Sequence, residues 1–438
     1  MISKLAERLH AVRWRTLNGA AQDKLLLCVL ANLVVAIAGR SALRLPRPAA
    51  GTGHLLLDGG QTGSAREAAF FNAALMHART QDDFHPVGNL HLATVIVPAA
   101  LAEAERQHAS GDLFLDAVAA GYATAVGLSR QYSPLTTPRG LRSTCLYSAM
   151  GAAVAVATLR GQDARQLGNT LSLATQSSFG TTQCWRDGSD EYQLHVANAA
   201  SQALLCAELT EAGVIGGEHA LDGPSGFYPA LSGTTPQFEN IVADFEPNAA
   251  IVETVLKRYP VSGICQPVVR LAERLATQRA GRGIARLVLE MTPFEMNYPG
   301  TLNAGPVFKS FSDRLMSARF CVGSVMEAGR FDFDAFVRPA TAELDGIIAV
   351  VDVLGAADLG TLSCRMRVEL NDGAVLAGEL RNGGNELALD RSTIDEWCAQ
   401  LWAGAGRTPD AYVRTRDAVA RLAAGSFADL RATLLLAG

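Results

Sequence analysis

The sequence is poor in charged residues, in lysine and in aromatic residues for its length. Of its 438 residues only 18% are charged and 6% aromatic, whereas 49% are hydrophobic. This composition excludes an intrinsically disordered chain, which needs low hydrophobicity and high charge. Lysine occurs only as Lys4, Lys24, Lys257 and Lys309, and the formal net charge is −5. A nucleic-acid-binding surface is not expected, because such surfaces are usually strongly basic.

The sequence also lacks a long apolar run and closely spaced cysteines. Its most apolar stretch, residues 25–39, is about fifteen residues long, whereas a membrane span needs roughly 20. It also lies too far into the chain for a signal peptide. The eight cysteines are dispersed without a CxxC pair, as is typical of reduced cytosolic proteins. We therefore predict a buried core helix, no membrane association and a cytoplasmic location.

Alanine-rich stretches with helical periodicity fill the first two-thirds of the chain, and glycine ends several of them. This pattern predicts a mainly α protein whose all-helical domain covers residues 1–266. After Pro267 the pattern changes and predicts an α+β domain over 267–394. Residues 395–438 read as helices again, and we expect them to return to the helical domain.

Within the α+β domain, two alternating stretches predict strands on either side of a turn. They are Thr361–Leu370 and Ala374–Leu380, and the Asn371-Asp372-Gly373 turn between them is a strong hairpin signal. Ile284–Met291 alternates in the same way. Two further stretches are predicted to be helical, Val307–Glu327 and Ala340–Leu354.

All eight histidines lie before residue 220, and three of them fall in one short segment. His77, His85 and His91, together with Asp82 and Asp83, form the densest group of titratable side chains in the chain. A helix that ends near residue 79 and the loop after it would present these groups at a helix terminus. Functional sites commonly lie at such places.

Three interpretations of this segment remain open. Histidine and aspartate are ordinary metal ligands, but neither an HExxH nor an HxH spacing occurs, so we expect no bound metal. The second interpretation is acid–base chemistry, with His91 and Asp83 as a proton-transfer pair. The third is structural, with the side chains capping helices and bonding to one another, and we favour it for His77 on its apolar helical face.

The same segment resembles the signature of a known enzyme family. Asn72, His77 and Asp82-Asp83 follow one another with four residues between them, and His85-Pro86 and His91 come next. This order resembles the MmgE/PrpD family, which includes 2-methylcitrate dehydratase, cis-aconitate decarboxylase and iminodisuccinate epimerase. The resemblance covers nearly the whole chain and continues through 97–105, 110–112, 121–122, 150–154, 194–200, 223–227 and 257–260.

The resemblance implies a two-domain subunit, in which a helical domain built from both ends of the chain carries an inserted α+β lid. It also implies an active site in the cleft between them and a homodimer that works without metal or organic cofactor. Substrates of the family are small di- and tricarboxylates. They react by proton abstraction next to a carboxylate, followed by loss or shift of a group.

This sequence departs from the family pattern at four positions that the resemblance places in the site. They are Thr80 (Asp in relatives), Phe84 (Thr), Arg142 (His) and Tyr192 (Lys). A guanidinium stays charged near neutral pH, so Arg142 is expected to clamp an anion and not to move protons. The pocket should therefore be less cationic and more apolar than that of a tricarboxylate enzyme.

These comparisons give a set of predicted site residues. The predicted catalytic residues are His91 as the base, Asp83 to orient it, Lys257 to hold the anion, and Tyr147 as an acid. Tyr132 is an alternative acid, and a structural role is open for both tyrosines and for His195. The predicted substrate-binding residues are Arg142, Thr80, Phe84, His85 and Tyr192.

Three hypotheses for the function follow. The first is a divergent, cofactor-independent lyase or isomerase that dehydrates, isomerises, decarboxylates or cyclises a substrate less charged than a tricarboxylate. Such an enzyme would suit a secondary-metabolite or catabolic pathway. The second is an ordinary 2-methylcitrate dehydratase or cis-aconitate decarboxylase, and the third is a catalytically inactive paralogue that serves as a scaffold.

Overall fold

The computed structural model describes residues 1–177, 179–305, 308–381, 383, 387–425 and 427–436. Contacts within the chain divide it into two compact units. The first comprises Met1–Thr181, Gln193–Leu256 and Leu389–Gly438, and the second comprises Thr182–Tyr192 and Lys257–Ala388. The change of unit near residue 257 comes earlier than the predicted 266/267 boundary, and no sequence pattern indicated that 182–192 belongs with the second unit.

The first unit is helical apart from a small hairpin of β1 (His54–Leu56) and β2 (Gly60–Thr62). Its N-terminal helices are α1 (Ile2–His10), α2 (Gly19–Ala38), α3 (Ala65–Ala78), α4 (Ala93–Gln107), α5 (Gly111–Ser129), α6 (Ser133–Thr136), α7 (Ala149–Leu159) and α8 (Ala164–Ala174). Helix α9 (Gln183–Asp187) belongs to the second unit, and the first unit then contains most of α10 (Glu191–Glu211), followed by α11 (Phe227–Ser232), α12 (Phe238–Ala243) and α13 (Pro247–Val252).

The second unit contains a mixed four-stranded sheet covered by helices. Its elements are α14 (Cys265–Arg279), β3 (Ile284–Met291), α15 (Pro293–Asn297), α16 (Phe311–Met316), α17 (Ala318–Ala328), α18 (Ala342–Ala349), β4 (Val351–Gly355), β5 (Cys364–Leu370) and β6 (Val375–Leu380). The C-terminal segment then adds α19 (Arg391–Gly404), α20 (Pro409–Ala420) and α21 (Phe427–Leu436), in residues grouped with the first unit.

Helix α2 lies in the core of the first unit and is longer than the sequence pattern predicted. Asn18 caps its N-terminus by accepting a hydrogen bond from the Ala21 amide, so the polar stretch 22–24 also belongs to the helix. With the turn after it, the helix extends from Gly19 to Ser41, which is long and apolar enough to cross a membrane. Because 67% of its most apolar window is buried in the fold, it also has the properties of a core helix.

Helices α5 and α7 approach each other closely where both carry glycine. A Cβ atom on Gly151 would lie 2.4 Å from the Gly121 carbonyl oxygen, and one on Gly121 would lie 2.9 Å from that of Gly151. Either substitution would force the two backbones apart. Two of the segments that resemble the enzyme family, 121–122 and 150–154, therefore contain residues that pack helices together.

The strand order of the sheet is β4-β3-β5-β6, with β3 parallel to β4 and antiparallel to β5. The predicted hairpin is present, because β5 and β6 pair in antiparallel register around a turn in which Gly373 has a φ of 85°. The prediction of a helix over 340–354 was wrong beyond residue 349, because β4 begins at Val351. The alternation of Val351 and Val353 with Asp352 is short, and its pairing with β3 is a tertiary contact that a local pattern does not contain.

The predicted helix Val307–Glu327 is two helices in the structure. Ser317 lies between α16 and α17 and caps α17 by accepting a hydrogen bond from the Phe320 amide. Serine at such a position favours a helix start over a helix interior. Val307 itself lies outside the described residues.

Candidate active site

The loop between α3 and α4 carries the predicted site and is anchored to the surrounding helices by buried polar contacts. From α2, the side-chain amide of Asn32 accepts a hydrogen bond from the Asp83 backbone amide at 3.0 Å and donates to the Cys28 carbonyl at 2.7 Å. An asparagine in the apolar part of α2 thus fixes the position of the loop at Asp83. The lone polar residue in that apolar run was a sequence signal that our predictions did not use.

Asp83 caps α4, which differs from its predicted role. Its carboxylate accepts hydrogen bonds from the backbone amides of Leu92 at 3.3 Å and Ala93 at 2.9 Å, and from the Tyr122 hydroxyl at 2.5 Å. Burial raises the pKa of the Asp83 carboxyl to about 6, although these three donors favour the charged form. The contact that the structure shows between Asp83 and the His91 ring is made by the Asp83 backbone oxygen, at 2.9 Å from Nδ1, and the predicted role of the Asp83 carboxylate in orienting His91 stays a prediction.

Asp82 is the carboxylate that contacts two histidines. The Nδ1 atom of His77 lies 3.0 Å from both Asp82 oxygens, and Nδ1 of His91 lies 3.1 Å from one of them. The two imidazole rings meet edge to face, with centroids 4.8 Å apart. His77 and Asp82 are fully buried, whereas the His91 side chain is 20% exposed. His91 is thus the member of this group that a small molecule can reach most easily.

Arg142 lies against the opposite side of His77. Its backbone amide bonds to the Gly180 carbonyl at 2.9 Å, and a single turn of π-helix, Thr144–Ser148, follows it. Its guanidinium lies 2.5 Å from Nε2 of His77 and 3.3 Å from Nδ1 of His195. The residue that replaces the family histidine is therefore in contact with two other histidines.

Gly180 is required for this arrangement because of the space that it leaves. A Cβ atom there would lie 2.8 Å from the Cys145 sulfur and 2.9 Å from the His195 ring. Any larger residue would push the imidazole away from Arg142.

The contacts assign a tautomer to each histidine. A guanidinium only donates hydrogen bonds, so Nε2 of His77 and Nδ1 of His195 are acceptors. Neutral His77 then carries its proton on Nδ1, and this N–H donates a hydrogen bond to Asp82. In His91, Nδ1 faces the Asp82 carboxylate and the Asp83 carbonyl at 2.9 Å. Both are acceptors, so Nδ1 of His91 is the donor and Nε2 is the nitrogen that gains or loses a proton.

Two of the histidines are neutral at neutral pH. Burial lowers the pKa of His77 to about 3, with Arg142 adding to the effect and Asp82 opposing it. Burial and the neighbouring Arg142 likewise lower the pKa of His195 to about 3. The two neutral rings lie between charged groups, because Arg142 contacts both of them and the Asp82 carboxylate contacts His77.

His77, Asp82 and His91 could also hold a metal ion, because one ligand atom from each lies within 4.8 Å of the others. In the assigned tautomers, however, both ligand nitrogens carry protons that already point at oxygen acceptors. A cation would have to displace these protons and would lie one imidazole ring away from the Arg142 guanidinium. The arrangement fits a hydrogen-bonded network better than a metal centre.

Residues 3–239, which include this whole cluster, match the family model for the MmgE/PrpD N-terminal domain. The match covers more than half of the chain. This protein belongs to the MmgE/PrpD family. It is also similar to the cis-aconitate decarboxylase-like protein oryM of Aspergillus oryzae, with 29% identity over 185 residues. That alignment covers 39% of this chain and 38% of the relative, so the chain matches less than half of the relative's length.

Two of the predicted binding residues of this MmgE/PrpD protein lie beside the cluster. Thr80 is buried with a φ of 48°, a conformation that costs a β-branched residue strain. Its hydroxyl has no hydrogen-bond partner among the residues that the structure describes. The Phe84 ring lies 6.4 Å from the His91 ring, centroid to centroid, so it supplies apolar surface next to the predicted base.

His85 and Tyr147 contact residues outside the cluster of His77, Asp82 and His91. His85 is buried, accepts a hydrogen bond from the Gly88 amide and lies 3.2 Å from the Glu253 carboxylate. This contact lowers the pKa of Glu253 to about 2. The Tyr147 hydroxyl lies 3.5 Å from the Thr136 hydroxyl, and its ring packs edge to face on Phe227. Neither placement supports the role predicted from sequence.

The remaining predicted residues, Tyr192 and Lys257, belong to the second unit. Both are buried there, and the Tyr192 ring packs on Trp185 at 5.1 Å between centroids. Their roles in substrate binding and catalysis stay predictions. Tyr132, the alternative acid, packs its ring on Tyr228 with centroids 4.1 Å apart.

Proposed function

We propose that this protein is a lyase or isomerase that moves a proton on the carbon next to a carboxylate or carbonyl, without a metal or organic cofactor. The observation that carries the proposal is the position of His91. Its Nδ1 atom donates to two oxygen acceptors, and the side chain is 20% exposed, so the ring can meet a small molecule.

In the proposed reaction, Nε2 of His91 takes a proton from the substrate carbon. The imidazolium that forms is stabilised by Asp82, to which Nδ1 already donates. A positioned base of this kind contributes roughly 10²- to 10⁴-fold to the rate. Departure of a neighbouring group gives a lyase reaction, and return of the proton to the other face gives an isomerase reaction.

The charge of the cluster supports a substrate with few carboxylates. Arg142 is the cation beside the histidines, Asp82 balances it, and His77 and His195 are neutral. Three substrate carboxylates would therefore meet little surplus positive charge here. We propose a substrate that has one carboxylate or a related carbonyl, with an apolar portion that lies against Phe84.

The second candidate is cis-aconitate decarboxylation, which the name of the Aspergillus oryzae relative favours. A third possibility, the inactive paralogue, predicts that no carboxylate is turned over. Proton NMR of the purified protein in D₂O separates the three, with 2-methylcitrate, cis-aconitate, iminodisuccinate and several monocarboxylic β-keto acids as the panel.

The matched variants are His91→Ala and His108→Ala, because His108 is an exposed histidine at the end of α4. The proposal expects deuterium exchange or conversion confined to the less charged acids, lost in His91→Ala and kept in His108→Ala. Turnover of a tricarboxylate would favour the second candidate. Activity that survives His91→Ala would overturn the assignment of the base.

A further inference from the structure

The second unit contains a cavity of about 360 Å³ that the proposed reaction does not use. Residues of α16, α17 and α18 line it together with the segment 335–341. Its apolar wall includes Phe308, Phe320, Leu344 and Ile348. The cavity lies entirely within this unit, and none of its lining residues belongs to the His91 cluster.

A buried hydroxyl lines this cavity. Ser324 is 1% exposed, and its Oγ atom has no hydrogen-bond partner in the part of the chain that the structure describes. Leaving a buried polar group unpaired is unfavourable, so its partner is expected to come from whatever occupies the cavity. The hydroxyl can both donate and accept a hydrogen bond.

The walls are held in place by packing and by one fixed cation. Gly323 lets α17 and α18 approach closely, because a Cβ atom there would lie 2.8 Å from the Ile348 side chain. Arg314 donates to the Phe336 carbonyl at 2.7 Å and lies over the Phe320 ring, 5.7 Å from its centroid. The cavity is therefore preorganised, which lowers the cost of binding.

Charges of both signs lie around the apolar wall. Arg314 and Arg338 supply two guanidinium groups, and Glu327 and Asp345 supply two carboxylates. This lining is complementary to a small molecule that carries one positive charge, one negative charge and an apolar body. A simple anion would meet the two carboxylates, and a simple cation would meet the two guanidinium groups.

We propose that this cavity binds a zwitterion with a bulky apolar side chain, that is, an apolar α-amino acid or a molecule built in the same way. The carboxylate is bound by the guanidinium groups, the ammonium by the acidic side chains, and the side chain by the phenylalanine and aliphatic wall. The Ser324 hydroxyl bonds to one of the charged ends.

Calorimetric titration of the full chain tests this proposal with four probes. L-phenylalanine and L-leucine are the zwitterions, 3-phenylpropanoate lacks the ammonium, and 2-phenylethylamine lacks the carboxylate. We expect a zwitterion to bind at least about tenfold more tightly than either singly charged analogue, as loss of one charge-assisted contact implies. Equal binding of all probes, or no binding of the zwitterions at millimolar concentration, would overturn the proposal.

Variants locate the binding site. Arg338 is exposed, so Arg338→Gln should leave the fold intact and weaken L-phenylalanine binding about tenfold. Ser324→Ala should weaken it by a smaller factor. Arg367→Gln is the matched control, because Arg367 is an exposed arginine on β5, outside the cavity lining. Binding that is unchanged in Arg338→Gln, or weakened equally in Arg367→Gln, would contradict the assignment.

Discussion

Asp82 and Asp83 are neighbours in sequence, yet their carboxylates lie in different environments and do different work. Asp82 contacts the rings of His77 and His91. Asp83 contacts two backbone amides at the start of α4 and the Tyr122 hydroxyl. The Asp82 carboxylate therefore determines which nitrogen of His91 is protonated, whereas the Asp83 carboxylate fixes the backbone that follows His91. An Asp-Asp pair therefore cannot be read as two equivalent acids.

The largest expected effect comes from removing the charge of Asp82. Asp82→Asn should lower kcat roughly 10²- to 10⁴-fold, because the amide can turn an N–H toward Nδ1 of His91 and reverse its tautomer. KM should change little. Steady-state kinetics on the acid found in the NMR panel measures both constants. A kcat within about twofold of wild type would show that Asp82 does not act through His91.

Removing the Asp83 side chain should instead affect stability. Asp83→Ala leaves two helix-terminal amides and the Tyr122 hydroxyl without their acceptor, and we expect a loss of about 2–4 kcal/mol in the free energy of unfolding. Urea unfolding followed by circular dichroism measures it. Asp83→Asn, which keeps one oxygen acceptor, is the control and should lose less. A loss below about 0.5 kcal/mol in Asp83→Ala would remove the distinction between the two aspartates.

His77, which contacts Asp82, and Asp83 should have opposite effects on the pH dependence of stability. His77 has a pKa near 3 in the folded protein and 6.5 as its ordinary value. Unfolding therefore takes up a proton between these values, and stability falls as pH falls. Asp83 has the opposite sign, because its folded pKa of about 6 lies above its ordinary value of 3.8. In that window unfolding releases a proton from Asp83, and stability falls as pH rises.

Urea unfolding between pH 4 and pH 6 tests both signs. Each proton that is taken up or released on unfolding changes the slope of the free energy of unfolding against pH by about 1.4 kcal/mol per pH unit. His77→Gln should therefore make the loss of stability toward acid less steep, and Asp83→Asn should make it steeper. Parallel curves for wild type and both variants would contradict these protonation states.

The smallest expected effect concerns Thr80, which precedes the two aspartates. Thr80→Gly removes a β-branched residue from a left-handed conformation and also removes a buried hydroxyl without a described partner. We expect a gain of at most about 1 kcal/mol in the free energy of unfolding. If the Thr80 hydroxyl binds substrate, KM rises in the same variant. Destabilisation by more than about 1 kcal/mol would mean that the packing of the Thr80 side chain stabilises the fold by more than its backbone strain destabilises it.

The sequence predicted the elements that depend on local periodicity. Helix α3, which ends at Ala78, and the β5–β6 hairpin lie where the patterns indicated. Strand β4 was missed because its alternation is too short to predict a strand without knowledge of its pairing with β3. The change of pattern after Pro267 predicted a second domain, and the family resemblance, confirmed by the match over residues 3–239, implied the same two-domain arrangement.

Within the site, the sequence indicated the segment but not the pairing. Which of two adjacent aspartates faces His91 depends on the direction of the chain after α3, and there Thr80 adopts a positive φ that its residue type does not suggest. Arg142 contacts His77, which is 65 residues away in sequence, and a local sequence pattern cannot predict such a tertiary contact. Tyr147 follows Arg142 by five residues in the sequence, and its hydroxyl lies beside Thr136.

The central claim is that Asp82 and the Asp83 carbonyl hold the proton of His91 on Nδ1, which leaves Nε2 as the base. Two-dimensional ¹H–¹⁵N spectra of the protein labelled at its histidine nitrogens test this claim without a substrate, with His77→Gln and His91→Gln used to assign the signals. We expect the Nδ1–H tautomer for His77 and His91 and the Nε2–H tautomer for His195. An Nε2–H tautomer for His91 would contradict it.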